Sequence, residues 1–309
     1  MSKATMQQWL EEIAASARQR LDEGRVADYI PALAQRNPNR FGIAVCTTSG
    51  ETYAAGDARE PFSIQSIAKV LLLTLALRTH GEALWQRVGL NPSGMPFNSL
   101  AQLEAERGKP RNPFINAGAI AVTDRLVSAF ATPDKHLQDV ARRLAGNASI
   151  LIDDEVLESE WQHRSRNAAM AYLMKAFGNL DNDVDAVLRC YFSSCALAMS
   201  CVDLAVALNF LAAEGEARAI GQRFVSPGLA RRVNAIMTTC GMYDAAGDFA
   251  YRVGLPAKSG VGGGIVAVVP GRMTVCVWAP ALDDSGNSVA AQHALELFAE
   301  QLDARLSTA

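Results

Sequence analysis

Ser66 and Lys69 form a Ser-x-x-Lys pair, a spacing at which a lysine can activate a serine as a nucleophile. Residues three apart lie on the same face of a helix, so a neutral amine there can take the hydroxyl proton. With 19 serines and six lysines in 309 residues, about 0.4 such pairs are expected by chance. Taken alone, the pair is more typical of a serine at a helix start followed by a solvent-exposed lysine.

A second motif, Lys258-Ser259-Gly260, lies near the other end of the chain, before a glycine-rich segment and a predicted strand. It resembles the Lys-(Ser/Thr)-Gly that β-lactamases and penicillin-binding proteins carry on a strand beside the nucleophile, where glycine lets the substrate approach. A flexible glycine-rich hairpin is the alternative. A phosphate-binding loop is disfavoured, because no Gly-x-Gly-x-x-Gly or Walker pattern fits and a strand follows. Together the two motifs favour a serine acyl-transfer enzyme.

The middle of the chain offers further candidates. Tyr191 could take part in proton transfer, although a tyrosine in an apolar helix is more often part of the core. The four histidines have no metal-ligand spacing, and no Gly-x-Ser-x-Gly elbow supports a Ser-His-Asp triad. The acidic segment 153–160 is either a solvated helix start or a group of carboxylates that binds a substrate ammonium. We expect no metal and no cofactor.

The elements that must position these residues follow from hydrophobic periodicity. Strands are predicted at 41–47 and 51–55 around a Ser-Gly turn, and at 265–269 and 273–278 around a Pro-Gly turn. The pattern is helical near both ends of the chain and almost wholly helical from 66 to 256. The predicted helices are 6–21, 67–77, 118–129, 136–144, 167–177, 184–198, 202–213 and 289–306.

This order of elements predicts an α+β fold, and the resemblance of the two motifs to those of β-lactamases implies that it is of the β-lactamase/DD-peptidase-like kind. One antiparallel sheet is assembled from both chain ends and flanked by helices, and an all-helical subdomain is inserted into it. We expect residues 1–65 and 256–309 to form the sheet subdomain and residues 66–255 the mainly helical subdomain. The two would make a single catalytic unit with the cleft between them.

Composition excludes several classes of protein. Half of the residues are hydrophobic, 20% are charged and the net charge is -3, which argues against disorder and, without a basic block, against nucleic-acid binding. No apolar run approaches the roughly 20 residues that span a bilayer. The first 25 residues include acidic positions unlike a signal peptide, and the six cysteines have no zinc or redox spacing. We expect a cytoplasmic protein with reduced cysteines and no nucleic-acid or membrane partner.

Longer strings of residues follow one another along most of the chain. They are VADYIP at 26–31, QSIAK at 65–69, PRNPFINAGA at 110–119, Glu160 with Asn167, Tyr191-Phe192, CGMYD at 240–244 and AKSGV at 257–261. In this order they resemble the serine-dependent glutaminases, β-lactamase-like enzymes that hydrolyse L-glutamine to L-glutamate and ammonia. The resemblance also implies a homo-oligomer, either a dimer or dimers paired into a tetramer.

The resemblance implies catalytic roles for five residues. Ser66 would be the nucleophile and Lys69 its general base. The positive charge of Lys258 and burial would lower the pKa of Lys69, and Tyr191 or Tyr243 would relay protons.

The resemblance also implies a substrate site. Its residues would be Tyr29, Gln65, Ser66, Asn116, Glu160, Asn167, Tyr191, Tyr243 and Val261. Glu160 would pair with the substrate ammonium, and Asn116 and Asn167 could donate to its carboxylate. The backbone N–H groups of Ser66 and Val261 would hold the tetrahedral oxyanion.

Two other functions remain open from the sequence. One is a serine acyl hydrolase of the same fold that acts on penicillins or peptides, which nitrocefin hydrolysis without glutamine hydrolysis would indicate. The other is a non-catalytic amino-acid sensor, which would bind glutamine without releasing ammonia. A sensor has no need of an activated nucleophile, and both Ser66 and Lys69 are present.

Overall fold

The structure, a computed structural model, describes residues 3–94 and 98–306. Its helices are α1 (Lys3–Ala17), α2 (Pro31–Ala34), α3 (Ala68–His80), α4 (Leu100–Ala105), α5 (Asn116–Ala129), α6 (Pro133–Ala145), α7 (Asp154–Gln162), α8 (Ser165–Ala176), α9 (Val184–Cys195), α10 (Cys201–Ala207), α11 (Pro227–Cys240), α12 (Ala246–Arg252) and α13 (Val289–Leu306). Its strands are β1 (Gly42–Thr47), β2 (Thr52–Gly56), β3 (Phe62–Ser63), β4 (Leu151–Ile152), β5 (Leu197–Met199), β6 (Glu216–Ala217), β7 (Gln222–Arg223), β8 (Ala257–Ser259), β9 (Gly264–Val269) and β10 (Met273–Trp278).

The main sheet joins the two ends of the chain. Its strand order is β2-β1-β10-β9-β8, and every neighbouring pair is antiparallel. β1 pairs with β10 along its whole length, with Gly42 opposite Trp278 and Thr47 opposite Met273. The predicted antiparallel sheet, built from both chain ends and flanked by helices, is confirmed.

Helices cover both faces of this sheet. Ile43 packs in the apolar cluster formed with α1 and α13, whereas its neighbour Ala44 packs in the cluster of the helical layer. Trp9 of α1 stacks on Phe298 of α13 with 4.3 Å between ring centroids, and α10 packs on β1 and β10 from the other side. Because both faces are buried, β9 and β10 have nearly continuous apolar sequences.

The helical layer is organised around α3. Its residues from Ala68 to Leu77 are buried without interruption, so this helix has no solvent face along most of its length. α3 packs against α5, and α5 packs against α8 and α9. Lys69 is therefore carried into the interior by the helix on which it lies.

The middle of the chain is less uniformly helical than predicted. β5 pairs with β3 and β4 in a small antiparallel sheet, and β6 pairs with β7. The predicted helix 184–198 therefore ends at Cys195, and the one at 202–213 ends at Ala207, with a 3-10 turn at Asn209–Leu211. These strands have two or three residues each and depend on tertiary pairing, so periodicity gives no signal for them.

The six cysteines are free thiols and are buried. Within residues 3–94 and 98–306, no helix has the length and apolar character needed to cross a membrane.

Candidate active site

Ser66 lies where the small sheet passes into α3. The chain leaves β3 at Ser63, makes a 3-10 turn at Gln65–Ile67 and enters α3 at Ala68. Gln65 has a φ of +49°, a left-handed conformation that is uncommon for residues other than glycine. Such strain is found at residues that the surrounding structure holds in place, including those at active sites.

The Lys-Ser-Gly motif packs directly against this turn. A Cβ on Gly260 would lie 2.6 Å from the carbonyl oxygen of Ile64 and 3.2 Å from the backbone nitrogen of Ser66. Only a residue without a side chain allows this approach. The structure thus brings the two motifs from opposite ends of the chain into contact.

Lys69 is a buried amine, with 1% of its surface exposed. Its Nζ donates to the carbonyl oxygen of Phe114 at 3.0 Å and to Oδ1 of Asn116 at 2.7 Å. Burial lowers the pKa of Lys69 to about 8, although the charge of Glu160 opposes this shift. A lysine with that pKa is about one-tenth neutral at pH 7, which gives a general base a usable population.

Lys258 is a second buried amine, on β8. Its Nζ donates to the carbonyl oxygens of Gly241 at 3.1 Å and Ser259 at 2.6 Å, and lies 4.5 Å from the ring centroid of Tyr243. Burial, and then the charge of Lys69, hold the pKa of Lys258 well below its usual value. We expected both burial and the charge of Lys258 to lower the pKa of Lys69. Burial is the main cause there, and the charge of Lys69 contributes to the lowered pKa of Lys258.

The side-chain amide of Asn116 links several groups of the site. Its Oδ1 accepts from Lys69 at 2.7 Å and from the hydroxyl of Tyr191 at 3.3 Å. Its Nδ2 donates to Oδ1 of Asn167 at 3.1 Å, so the amide nitrogen of Asn167 remains a donor for a ligand. Burial raises the pKa of Tyr191 well above its usual value, and its hydroxyl stays protonated.

Tyr243 lies beside Ser66. Its side chain is hydrogen-bonded to that of Ser66, and its hydroxyl also donates to the carbonyl oxygen of Ser259 at 3.5 Å. Burial raises the pKa of Tyr243 to about 12, against the effect of these hydrogen bonds. The phenol is therefore a protonated group in contact with the serine hydroxyl.

Glu160 supplies a buried carboxyl group from the end of α7. This helix begins at the N-cap Asp153, whose side chain accepts from the backbone of the first turn. Burial raises the pKa of Glu160 to about 7, opposed by a hydrogen bond with Gln65 and by the charge of Lys69. A cation placed beside it would favour its ionised form.

These groups meet at a cleft of about 240 Å³, near the lower end of the size range of ligand pockets. Its lining residues are Tyr29, Ile30, Gln65, Ser66, Asn98, Asn116, Glu160, His163, Arg166, Asn167, Tyr191, Cys195, Tyr243 and Val261. All of the predicted substrate residues are among them. Lys69 and Lys258 are not in the wall but lie behind it. A larger cavity of about 350 Å³ also touches Tyr243, but neither Ser66 nor a lysine lines it.

Five of these lining residues were missed from the sequence: Ile30, Asn98, His163, Arg166 and Cys195. Cys195 lies four residues after Tyr191 in α9 and His163 lies three residues after Glu160 at the end of α7, so helical spacing from predicted residues was an available signal for these two. Asn98 is far in sequence from its neighbours in the cleft and carried no such signal.

Val261 lines the same cleft, and in the part of the chain that the structure describes its backbone N–H donates to no acceptor. A free N–H beside a nucleophile can stabilise an oxyanion.

A serine at the start of a buried helix, a lysine one turn later and Lys-Ser-Gly on the edge strand of an antiparallel sheet define a β-lactamase-like protein. The Glutaminase family model matches residues 24–306. A glutaminase of Pseudomonas fluorescens (strain Pf0-1) is 56% identical over 297 residues, which are 96% of this chain and 98% of the relative. One of Pseudomonas entomophila (strain L48) is 58% identical, covering 96% and 97%.

Solved structures agree. "Probable glutaminase ybaS" is similar with a TM-score of 0.93 at 36% identity, covering 98% of both chains. The probable glutaminase of Bacillus subtilis has a TM-score of 0.89 at 32% identity, covering 97% of both. The chain belongs to the glutaminase family, and the resemblance found in the sequence is confirmed.

Proposed function

We propose that the protein hydrolyses the side-chain amide of L-glutamine to L-glutamate and ammonia through an acyl-enzyme on Ser66. Family membership supports the substrate and the reaction. The observation that carries the mechanism is the position of Ser66, which lies in the cleft, in hydrogen-bond contact with Tyr243, one turn before the buried Lys69.

Acylation begins with attack by the hydroxyl oxygen of Ser66 on the amide carbon, while the neutral amine of Lys69 takes the proton. The acceptors that already hold Nζ, on Phe114 and Asn116, stabilise the ammonium formed by this transfer. The N–H groups of Ser66 and Val261 stabilise the tetrahedral oxyanion.

Loss of ammonia requires a proton on the leaving nitrogen. The phenol of Tyr243 donates it as the C–N bond breaks, and the ammonium of Lys69 returns a proton to the phenolate. Water then attacks the ester and gives a proton to this pair, the C–O bond to Ser66 breaks, and the serine regains its hydrogen. Tyr191 holds Asn116 through its hydroxyl and so orients the amide that receives Lys69.

The substrate backbone binds to other residues that line the cleft. The carboxylate of Glu160 pairs with the α-ammonium, and Gln65 orients Glu160. The amide nitrogen of Asn167 and the hydroxyl of the half-exposed Tyr29 are donors for the α-carboxylate.

Ammonia and glutamate release from L-glutamine tests this function, with L-asparagine as the comparison substrate. We expect Ser66→Ala to abolish turnover while the far-UV circular dichroism spectrum stays that of the wild type. Ser128→Ala removes a hydroxyl outside the cleft and should keep full activity. Hydroxylamine added to the wild type should divert the acyl-enzyme to γ-glutamyl hydroxamate. Wild-type activity in Ser66→Ala, or no hydroxamate, would contradict the mechanism.

We also infer a cytoplasmic homo-oligomer, a dimer or a tetramer, organised as a sheet subdomain (1–65 and 256–309) and a helical subdomain (66–255). The buried free thiols support a reducing compartment, and the family resemblance supports the assembly. Tyr29 and Val261 from one part and Glu160 from the other line the same cleft, which supports one catalytic unit. Light scattering after size-exclusion chromatography would test the assembly.

A further inference from the structure

Of the described residues that line the cleft, Arg166 is the one whose side chain is always positively charged. Lys69 and Lys258 lie behind the wall, and Lys69 must be neutral to act as a base. His163 also lines the cleft, but a guanidinium, unlike an imidazole, is charged in every protonation state that a protein reaches. Arg166 therefore dominates the positive charge that a bound substrate would meet.

Among the described residues, one hydrogen bond holds Arg166 at the cleft. Its Nε donates to the carbonyl oxygen of Asn98 at 3.0 Å, across the rim from α8. Within the described residues its guanidinium has no carboxylate partner, so the Nη groups are available to a ligand.

The position of Arg166 in its helix is also unfavourable without an anion. It lies in the first turn of α8 (Ser165–Ala176), where the helix dipole disfavours a positive charge and where there is no acidic residue to offset it. The last turn of the same helix carries Lys175, the favourable placement. A bound carboxylate would relieve this conflict at Arg166.

Free L-glutamine presents an ammonium and a carboxylate on one carbon. Glu160 matches the ammonium, but its own negative charge opposes the nearby carboxylate, and the donors of Asn167 and Tyr29 are neutral. We propose that Arg166 binds the α-carboxylate of L-glutamine and thereby selects the free amino acid over glutamine whose carboxylate is blocked. This inference rests on the proposed function, because it concerns the same substrate.

The test compares L-glutamine with L-glutaminamide, in which a neutral amide replaces the α-carboxylate. Side-chain hydrolysis of the second compound gives L-isoglutamine, which chromatography separates from its other products. The readout is the preference, the ratio of kcat/KM for L-glutamine to that for L-glutaminamide. Lys175→Met is the matched control, since Lys175 also lies on α8, donates to a backbone carbonyl (Asn182, 2.6 Å) and loses the same charge.

For Arg166→Met we expect about a tenfold fall in the preference, the size of one charge-assisted hydrogen bond. The change should come from KM for L-glutamine, and Arg166→Lys should recover part of it. Lys175→Met should leave the preference at the wild-type value.

Equal losses for both substrates in Arg166→Met would overturn the proposal, because they would mean that Arg166 only supports the rim through Asn98. An unchanged preference would overturn it as well. Thermal unfolding of each variant shows whether the fold is intact. Failure of the function itself is distinguishable, because the wild type would then release no ammonia from L-glutamine.

Discussion

The pH dependence of kcat/KM tests the two groups that must lose a proton before the reaction starts. Glu160 must be ionised to pair with the ammonium, and Lys69 must be neutral to accept the serine proton. Their pKa values are about 7 and about 8 in the free enzyme, which is the state that kcat/KM reports. Log kcat/KM should therefore rise with a slope of about two below pH 7 and about one up to pH 8. It should then level off until the amine of the substrate titrates.

Glu160→Gln changes both the height and the shape of this profile. Loss of one partly desolvated carboxylate–ammonium pair costs about 2–3 kcal/mol, or roughly a 30- to 150-fold fall in kcat/KM. Only the deprotonation of Lys69 then remains, so log kcat/KM should rise with a slope of about one on the acidic limb of the profile. Because the charge of Glu160 raises the pKa of Lys69 in the wild type, this limb should lie at lower pH in the variant.

The assay is the initial rate of glutamate release between pH 5.5 and 9.5 at constant ionic strength. Glu158→Gln is the control, since Glu158 lies on the same helix but is exposed and, among the described residues, accepts only from Gln162. It should keep the wild-type profile. A Glu160→Gln variant that retains a slope of two, or whose limb moves to higher pH, would refute the assignment of the two pKa values.

Three other substitutions test separate parts of the site. Gly260→Ala should destabilise the fold by about 1–3 kcal/mol and reduce activity, because its Cβ would lie 2.6 Å from a backbone oxygen. The control Gly247→Ala in α12 places its Cβ in open space and should raise the Tm slightly. Tyr243→Phe should lower kcat by about 100-fold or more with little change in KM, and the exposed Tyr251→Phe should not. Lys258→Met should have a higher Tm than the wild type at pH 7. That difference should narrow as the pH rises towards 10.5, because the unfolded chain binds the extra proton below that pH. Differential scanning calorimetry across the pH range would measure it.

Long elements of the fold could be predicted because their sequence periods are unambiguous. β10 and α13 have the predicted bounds, 273–278 and 289–306. The small sheet of β3, β5 and β4 could not, since two or three residues carry no period and their strand character depends on pairing partners far away in sequence. The helix end at Cys195 was missed for the same reason.

Residues of the site could be predicted from the sequence only where they belong to a recognisable motif. Ser66 and Lys258 came from two short patterns that indicate acyl-transfer chemistry when they occur together. Arg166 and Asn98 lie about 70 residues apart, and the carbonyl contact between them forms only when α8 packs beside the chain before α4. Charge in a sequence does not show which arginine faces a pocket, so the residue of the further inference required the structure.

The surroundings of Lys69 explain how a lysine could act as the base of the proposed mechanism. A solvent-exposed lysine with a pKa near 10.4 is about 0.04% neutral at pH 7, and a pKa of about 8 raises that fraction roughly 200-fold. Such a shift costs about 3 kcal/mol of stability at pH 7, which the uninterrupted apolar contacts of α3 can offset. The same apolar run also separates the two interpretations of Ser-x-x-Lys. A helix without a solvent face cannot expose its lysine, so the run after Lys69 indicates an amine tuned by burial.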